Sequence, residues 1–181
     1  MTEMLFRSDA YLSSSVGIVK NITEVGGIVL DRTIFYPNSG GQPGDSGKIR
    51  FLSDKECSIE NTVKGLGNDI ILIPKVGSKL PSKDDLCEQE INWEKRFKYM
   101  RTHTALHLLS VVIPLPVTGG QITFEKGRLD FNMPDAPEDK GSIEVELNRL
   151  IASNLSVTDQ WITDDELRQN PGLVKTMSVS L

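Results

Sequence analysis

The sequence contains only two histidines, and they stand four residues apart, at His103 and His107. On a helix this spacing places both imidazoles on one side, one turn apart, which is how a helix offers two ligands to one metal ion. Zinc is the metal that imidazole donors usually suggest, although it normally takes four ligands. The alternative is that both rings lie at the edge of an apolar stripe and form ordinary hydrogen bonds. The zincin motif does not apply, because Thr104 stands where that motif has its glutamate base.

A second candidate is the segment from Thr33 to Gly47, which contains four glycines and two prolines. Such a sharply turned backbone can present amide N–H groups, together with the Gln42 side chain, to a carbonyl or phosphate acceptor. It is neither a Walker motif, which ends in Gly-Lys-Ser/Thr, nor a dinucleotide fingerprint, which lies between a strand and a helix. The alternative is a tight connection between strands. Phe35 and Tyr36 favour a pocket, because aromatic side chains beside polar groups are typical of pocket walls.

Four basic residues precede the histidines: Lys95, Arg96, Lys98 and Arg101. At about 100° per residue they are scattered around the predicted helix, and only Arg96 leans towards the histidine side. Cations near a helix N-terminus oppose the helix dipole, so they hint at an external anion. A solvated start of the helix is the other explanation, and we favour it.

The elements that must position these residues change character at residue 92. Before it, short β-rich runs are separated by glycine and proline turns, a spacing typical of a small barrel or sandwich. A period of two in the second run puts Thr33 and Phe35 on one face and Arg32 and Ile34 on the other. The predicted strands are Val16–Ile22, Ile28–Tyr36, Lys48–Leu52, Cys57–Val63 and Ile70–Ile73.

From Asn92, a plausible N-cap, the apolar residues recur at helical intervals until Pro114. Beyond this helix we predict a hairpin, a second helix behind Ser142 and a short helix opened by a capping box. The hairpin joins 121–124 to 128–131, the second helix carries the stripe Ile143, Leu147, Leu150 and Ile151, and the capping box begins at Thr163. Residues 174–181 are expected to form a strand.

Composition limits the possible functions. With 181 residues and a net charge of −5, the chain has no global positive field for indiscriminate nucleic-acid binding, so RNA contact must come from a local patch or from shape. The apolar stretches are too short to span a bilayer, and the N-terminus lacks a signal-peptide pattern, so we expect a cytoplasmic protein. Cys57 and Cys87 match neither a metal knuckle nor a disulfide framework and are expected to be buried thiols.

Taken in order, three blocks of residues resemble the editing region of alanyl-tRNA synthetases. They are Thr33–Gly47 with its glycines and Gln42, Arg101–Leu109 with its histidine pair, and Gly127–Phe131. The closest resemblance is to the freestanding alanyl-tRNA editing proteins, the AlaX family. We expect an α+β fold, with a small β-barrel-like domain at 1–92 and an editing core at 93–181 in which helices pack on an antiparallel sheet.

The resemblance implies a hydrolase that acts in trans on tRNA for alanine mischarged with serine or glycine, and releases the amino acid and the free tRNA. It also implies a zinc ion held by His103 and His107 together with a Cys-x-x-x-His block further on. This sequence reaches Leu181 without that block, so we expect either a truncated form or a protein that has lost the complete site. Two imidazoles alone would bind zinc weakly.

Hydrolysis of an aminoacyl ester requires a placed water and stabilisation of the tetrahedral oxyanion. We expect the histidine pair and the turn that carries Gln42 to share one cavity, able to hold the end of a charged tRNA. The candidate catalytic residues are Gln42, Thr33 and Thr104. The candidate substrate-binding residues are Gly40, Gly41, Phe35, Gln121 and Arg101.

Two other functions stay open. The tripeptide Gly40-Gly41-Gln42 also serves ester hydrolysis in release factors, but in strongly basic proteins, whereas this one is acidic. The more serious alternative is a non-catalytic module that binds tRNA or a partner protein and keeps the fold without a complete metal site. The missing Cys-x-x-x-His block favours this alternative, and the histidine pair and Gln42 oppose it, because binding alone would not need them.

Overall fold

The computed structural model describes residues 1–51, 55–135, 139–158 and 160–173. The chain forms two compact units, Met1–Tyr99 and Met100–Leu181, and each is described by itself. The sequence prediction divides the chain slightly earlier, after residue 92. Strands dominate the first unit, whereas the second combines helices with a hairpin, so the predicted α+β class is confirmed.

The first unit consists mainly of a closed antiparallel barrel. Its strands run from three to ten residues and are separated by glycine and proline turns. In chain order, the described elements are β1 (Glu3–Met4), α1 (Leu5–Ser8), β2 (Ser14–Ile22), β3 (Ile28–Leu30), β4 (Arg32–Thr33), β5 (Gly47–Phe51), β6 (Lys55–Lys64), β7 (Ile70–Pro74) and β8 (Leu86–Ile91). The barrel order is β2-β3-β7-β6-β5-β8, and β8 pairs back to β2, while β1 and β4 form a separate parallel pair.

Alternate residues of the barrel strands point inwards and form the core. In β8, for example, Cys87, Gln89 and Ile91 are buried while their neighbours are exposed. The prediction of a small barrel is therefore confirmed, and so is the prediction that Cys57 and Cys87 are buried, unpaired thiols. The fully buried side chains of this core include Val19, Leu30, Ile49, Cys57, Leu72 and Cys87.

The predicted single strand Ile28–Tyr36 is wrong, because the chain breaks at Asp31 into β3 and β4. The Asp31 carboxylate accepts the backbone N–H groups of Ile18 at 2.7 Å and Arg32 at 2.8 Å, and so competes with the regular ladder. The predicted alternation of faces also fails, since Ile34 and Phe35 are adjacent and both fully buried. The chain beyond Thr33 is therefore a loop that begins with buried side chains.

Helix α2 (Trp93–Val112) begins in the first unit and continues into the second. Asn92 caps it as predicted, because its Oδ1 accepts the N–H of Lys95 at 3.1 Å. The predicted hairpin is confirmed as β9 (Val117–Ile122) and β10 (Gly127–Phe131), but β9 begins four residues and ends two residues earlier than predicted. A Cβ at Gly127 would lie 2.6 Å from Cγ2 of Thr102, so the helix packs directly on the hairpin within the second unit.

The second unit also contains α3 (Lys140–Ala152), α4 (Asp164–Gln169) and a 3₁₀ turn (Pro171–Leu173). Helix α3 begins earlier than predicted because Asp139, whose carboxylate accepts the N–H of Ser142 at 3.1 Å, is its N-cap. The predicted capping box at Thr163 is confirmed. The strand predicted for 174–181 lies outside the described residues. Within the described ranges, no helix combines the length and the apolar character needed to cross a bilayer.

Candidate functional site

The glycine-rich segment of the first unit is organised around a two-residue turn. Ser39 and Gln42 exchange both backbone hydrogen bonds, with N···O distances of 3.1 Å and 3.0 Å. Gly40 has φ +58° and Gly41 has φ +77°, which is the left-handed pair that a type I′ turn requires and that glycine adopts without strain. Both glycines are exposed, so the backbone of the turn faces solvent.

Gln42 is buried, with only 3% of the residue exposed. Every buried side-chain N or O atom among the described residues has a hydrogen-bond partner. The turn therefore combines two exposed glycines with a buried glutamine. The predicted contact of Gln42 with a substrate stays a prediction.

Thr33 and Phe35 are both fully buried. The Thr33 hydroxyl donates to Oε1 of Gln89 at 2.7 Å and accepts the N–H of Phe35 at 3.1 Å. Gln89 in turn donates from Nε2 to the carbonyl of Arg32 at 3.1 Å. Phe35 belongs to the hydrophobic core of the barrel. The Thr33 hydroxyl and the Phe35 ring thus both make contacts inside the protein. Their predicted contacts with a substrate stay untested.

Asp45 closes the glycine-rich segment through a buried ion pair with Arg96 of α2. Nε of Arg96 donates to both carboxylate oxygens at 3.0 Å, and Nη2 donates to Oδ2. The same guanidinium donates to the carbonyls of Ile34 at 2.6 Å and Ala10 at 3.0 Å. Burial raises the pKa of the Asp45 carboxyl, and the hydrogen bonds and charge of Arg96 act in the opposite direction.

Sequence reasoning missed this pair, because it grouped Arg96 with the solvated cations at the start of the helix. Arg96 is 2% exposed and is occupied by Asp45, so an external anion has no access to it. One signal could have revealed it. Arg96 is the third residue after Trp93 and the fourth before Met100, so it falls on the apolar stripe of α2, where a charged side chain needs a buried partner.

The two histidines of the second unit stack on one side of α2. Their ring centroids are 5.0 Å apart and the ring planes differ by 11°. His103 is partly buried and His107 is exposed. Burial lowers the pKa of His103, and the neighbouring His107 lowers it further. A neutral imidazole has the free nitrogen lone pair that binding of a metal ion or a proton requires.

These two donors do not fit a complete zinc site. Zinc takes four ligands in structural sites and at least three from the protein in catalytic sites. Across residues 1–51, 55–135, 139–158 and 160–173, no group of three or more His, Cys, Asp or Glu side chains could hold a metal ion. The two cysteines lie in the core of the barrel.

The remaining candidates of the second unit are exposed. Thr104 and Arg101 lie on α2, and Gln121 lies on β9 opposite Arg128. Because Thr104 follows His103 directly, it is turned by about 100° around the helix from the histidine pair. The glycine-rich turn belongs to the first unit and the histidines to the second, so their predicted convergence on one cavity stays a prediction.

The barrel surface also has a shallow cavity of about 220 Å³. Its basic side chains are already paired with Glu90. The Oε2 atom of Glu90 lies 3.6 Å from Nζ of Lys48 and 3.4 Å from Nη2 of Arg50. None of the predicted site residues is among the described residues that line it, which are Ser14, Ser15, Val16, Lys48, Arg50, Glu88, Gln89 and Glu90. We therefore do not assign this cavity to the candidate site.

The family model of class II (A) tRNA synthetases matches residues 9–95, which include the barrel and the glycine-rich segment. The alanyl-tRNA editing protein AlaX-M of Methanosarcina mazei is 32% identical to the chain, over 98% of the chain and 74% of the relative. The chain belongs to the family of alanyl-tRNA editing proteins. The AlaX-L protein of Pyrococcus horikoshii, another member, is 32% identical over 87% of the chain and 40% of its own length.

The similarity extends to a multidomain enzyme. The alanine–tRNA ligase of Pyrococcus abyssi is 31% identical over 80% of the chain but only 16% of its own length. The resemblance to the AlaX family, which the sequence analysis based on the glycine-rich and histidine blocks, is thus confirmed. The AlaX-M match covers nearly the whole chain and about three quarters of that relative.

Proposed function

We propose that this AlaX-family protein edits aminoacyl-tRNA by hydrolysing the ester bond of tRNA for alanine that carries serine or glycine. One observation carries the proposal, namely 32% identity over 98% of the chain to a protein named alanyl-tRNA editing protein. In the reaction, water adds to the ester carbonyl carbon, the bond to the ribose oxygen breaks, and the amino acid and the free tRNA leave. The proposed partner is therefore mischarged tRNA for alanine.

The proposed roles of the residues follow from what each can donate. Gln42 and Thr104 are proposed to stabilise the oxyanion or orient the substrate, because amide N–H and hydroxyl groups can donate to a developing negative charge. Thr33, whose hydroxyl proton goes to Gln89, is proposed to support the segment that carries Gln42. The exposed backbone of Gly40 and Gly41 supports a contact at the turn. Gln121 and Arg101 complete the proposed substrate-binding set, and Arg101 supplies a cation for phosphate. Phe35 is proposed to act only as part of the core beneath the glycine-rich segment, because it is fully buried there.

Rejection of alanine is the chemically hardest part of this function. Serine differs from alanine by one hydroxyl, and a site built to hydrogen-bond that hydroxyl discriminates strongly, because its polar groups are left unpaired when the hydroxyl is missing. Glycine lacks a side chain, so it can enter any cavity that admits serine. Because alanine lacks the hydroxyl, we propose that seryl-tRNA is cleaved faster than alanyl-tRNA.

We propose that His103 and His107 are two of the ligands if zinc binds, with the other ligands supplied from outside the described residues. Bound zinc would act as a Lewis acid or as an anchor for the substrate. Since the described residues supply only half of a four-ligand set, no further role is assigned to the ion.

A deacylation assay tests the proposal. Seryl-tRNA and glycyl-tRNA for alanine are substrates, and correctly charged alanyl-tRNA is the control. Gln42→Ala is expected to slow the release of serine more than it weakens tRNA binding, whereas the matched control Gln160→Ala, at an exposed position, leaves the rate unchanged. Equal losses of rate and binding would assign Gln42 to binding alone, and cleavage of alanyl-tRNA at the same rate as seryl-tRNA would refute editing.

The second candidate function is a non-catalytic module that binds tRNA or a partner protein. The lack of a third metal ligand in the described parts of the chain favours it. Binding of uncharged tRNA with no release of serine, in a preparation shown by metal analysis to be saturated with zinc, would support this candidate over the enzyme.

A further inference from the structure

We propose that Arg96 is a positioning residue for the Gly40-Gly41-Gln42 turn and acts on it through Asp45. The inference rests on the editing function proposed above, because it concerns the same turn. Arg96 itself touches no candidate site residue in the contacts described, so its effect must pass through Asp45 and the loop.

Asp45 and Tyr36 close the base of the loop that carries the turn. The N–H of Tyr36 donates to Oδ2 of Asp45 at 2.7 Å, and the N–H of Asp45 donates to the carbonyl of Tyr36 at 2.9 Å. The hydroxyl of Thr62 on β6 donates to the carbonyl of Asp45 at 2.9 Å. The two ends of the loop are thus held to each other and to the barrel, with the Ser39–Gln42 turn at its tip.

Arg96 holds this base in place from the side of α2. All three nitrogens of its guanidinium donate, and their acceptors are Ala10 and, near the two ends of the glycine-rich segment, Ile34 and Asp45. A planar fork with several donors is what such an arrangement needs, and a lysine ammonium would keep the charge but could not reach all three acceptors. Since Arg96 and Asp45 are 2–3% exposed, water cannot replace a lost contact.

The consequence for the turn is mechanical. The Asp45 carboxylate accepts from both Arg96 and the backbone of Tyr36, so a displaced guanidinium lets the carboxylate rotate away from the loop. The base then keeps only the backbone bond between Asp45 and Tyr36 and the bond from Thr62, and the Ser39–Gln42 turn is held less firmly in position. A displacement of about 1 Å in a group that contacts substrate is enough to lower a rate by about a hundredfold.

Arg96→Lys tests the proposal, with Arg149→Lys, in an exposed ion pair with Glu146, as the matched control. We expect Arg96→Lys to lower kcat for seryl-tRNA about tenfold or more with little change in KM. In a Gln42→Ala background the same substitution should cause almost no further loss, because the group being positioned is already gone. An equal loss in both backgrounds, or a loss that only follows the folded fraction, would overturn the proposal.

Amide hydrogen exchange gives a readout that needs no activity. In Arg96→Lys the N–H groups of Ser39 and Gln42 should exchange faster, while that of Val19, bonded to the carbonyl of Asp85 in the barrel, should not. If exchange became faster by the same factor at all three N–H groups, the substitution would destabilise the whole fold. That result would overturn the proposal that Arg96 positions the turn. If the wild-type protein cleaves no aminoacyl-tRNA, the editing function fails, and this exchange pattern alone supports or overturns the role of Arg96 in holding the turn.

Discussion

The hydroxyl of Thr33 donates a 2.7 Å hydrogen bond to Oε1 of Gln89, 56 positions along the chain, and so joins β4 to β8 inside the barrel. Both side chains are almost fully buried. The pair places two polar groups in an apolar interior, where each depends on the other. Thr33, a candidate catalytic residue, therefore also has a structural role. Its contribution to stability can be measured separately from any contribution to catalysis.

Thr33→Val keeps the shape of the side chain but removes the hydroxyl. Because Gln89 Oε1 and the N–H of Phe35 lose their bonds to it, we expect the free energy of unfolding to fall by about 1–3 kcal/mol. Denaturant unfolding measures the loss, and Thr118→Val, at an exposed position of β9, should change stability by less than about 0.5 kcal/mol. If the variant also loses kcat beyond its folded fraction, Thr33 has a role in the reaction as well.

The protonation of His103 should depend on its partner. Burial and the charge of His107 hold the pKa of His103 below its ordinary value of 6.5. In His107→Gln, whose single histidine makes the NMR signal of His103 unambiguous, we expect the pKa of His103 to rise part of the way back. The part due to burial should remain. An unchanged His103 titration in this variant would contradict the coupling.

The same shift predicts how stability depends on pH. Since the folded state disfavours protonated His103, the unfolded chain binds more protons below pH 6.5. The contribution of His103 to stability is therefore complete above about pH 6.5 and is lost as the pH falls through the folded pKa. As the pH falls through this range, the free energy of unfolding of the wild type should fall relative to that of His103→Gln. A difference between the two proteins that does not change with pH would exclude the effect.

Zinc should bind through both histidines or not measurably at all. We expect the binding free energy to fall well short of the about 10–16 kcal/mol of complete zinc sites, because two ligands are too few. Calorimetric titration should show that His103→Gln and His107→Gln each abolish binding. If the double variant with both His103→Gln and His107→Gln still bound one zinc ion per chain, the metal site would lie elsewhere in the protein.

The two thiols should be inert in the folded protein. Burial raises the pKa of Cys57, and burial together with the Asp85 charge raises the pKa of Cys87 to about 12. At pH 8 only about one Cys87 in ten thousand is thiolate, the reactive form. Labelling with a thiol reagent should therefore be very slow in native buffer and rapid in denaturant. Fast native labelling of either cysteine would mean that the barrel opens locally.

Most strands of the barrel follow from the sequence, but the closing strand β8 does not. Its residues Leu86–Ile91 lack the β-branched or aromatic alternation that marks a strand, and the inward position is filled by Gln89. A buried glutamine is tolerated there only because Thr33 and the carbonyl of Arg32 satisfy it. Those partners come from a distant part of the chain, so a local pattern cannot reveal them.

The candidate site shows the same division. Helical spacing alone predicts that His103 and His107 lie on one side of α2, and the rings stack there. The pairing of Arg96 with Asp45 spans 51 positions and depends on how the loop folds back on the barrel, which no local spacing encodes. The burial of Gln42 is likewise not encoded locally, because the Gly40-Gly41 pair predicts a tight turn but not which side chain beside it is buried.

The closed order of the barrel strands has a consequence for self-association. Each of the six strands has a neighbour on both sides, so a strand from a second molecule could add to the barrel only after an existing ladder opened. In the hairpin β9–β10, each strand has only one strand partner among the described residues, so a further strand could pair with it without breaking a ladder of this part of the chain. When the protein is concentrated or partly unfolded, we therefore expect intermolecular strand pairing at this hairpin before the barrel.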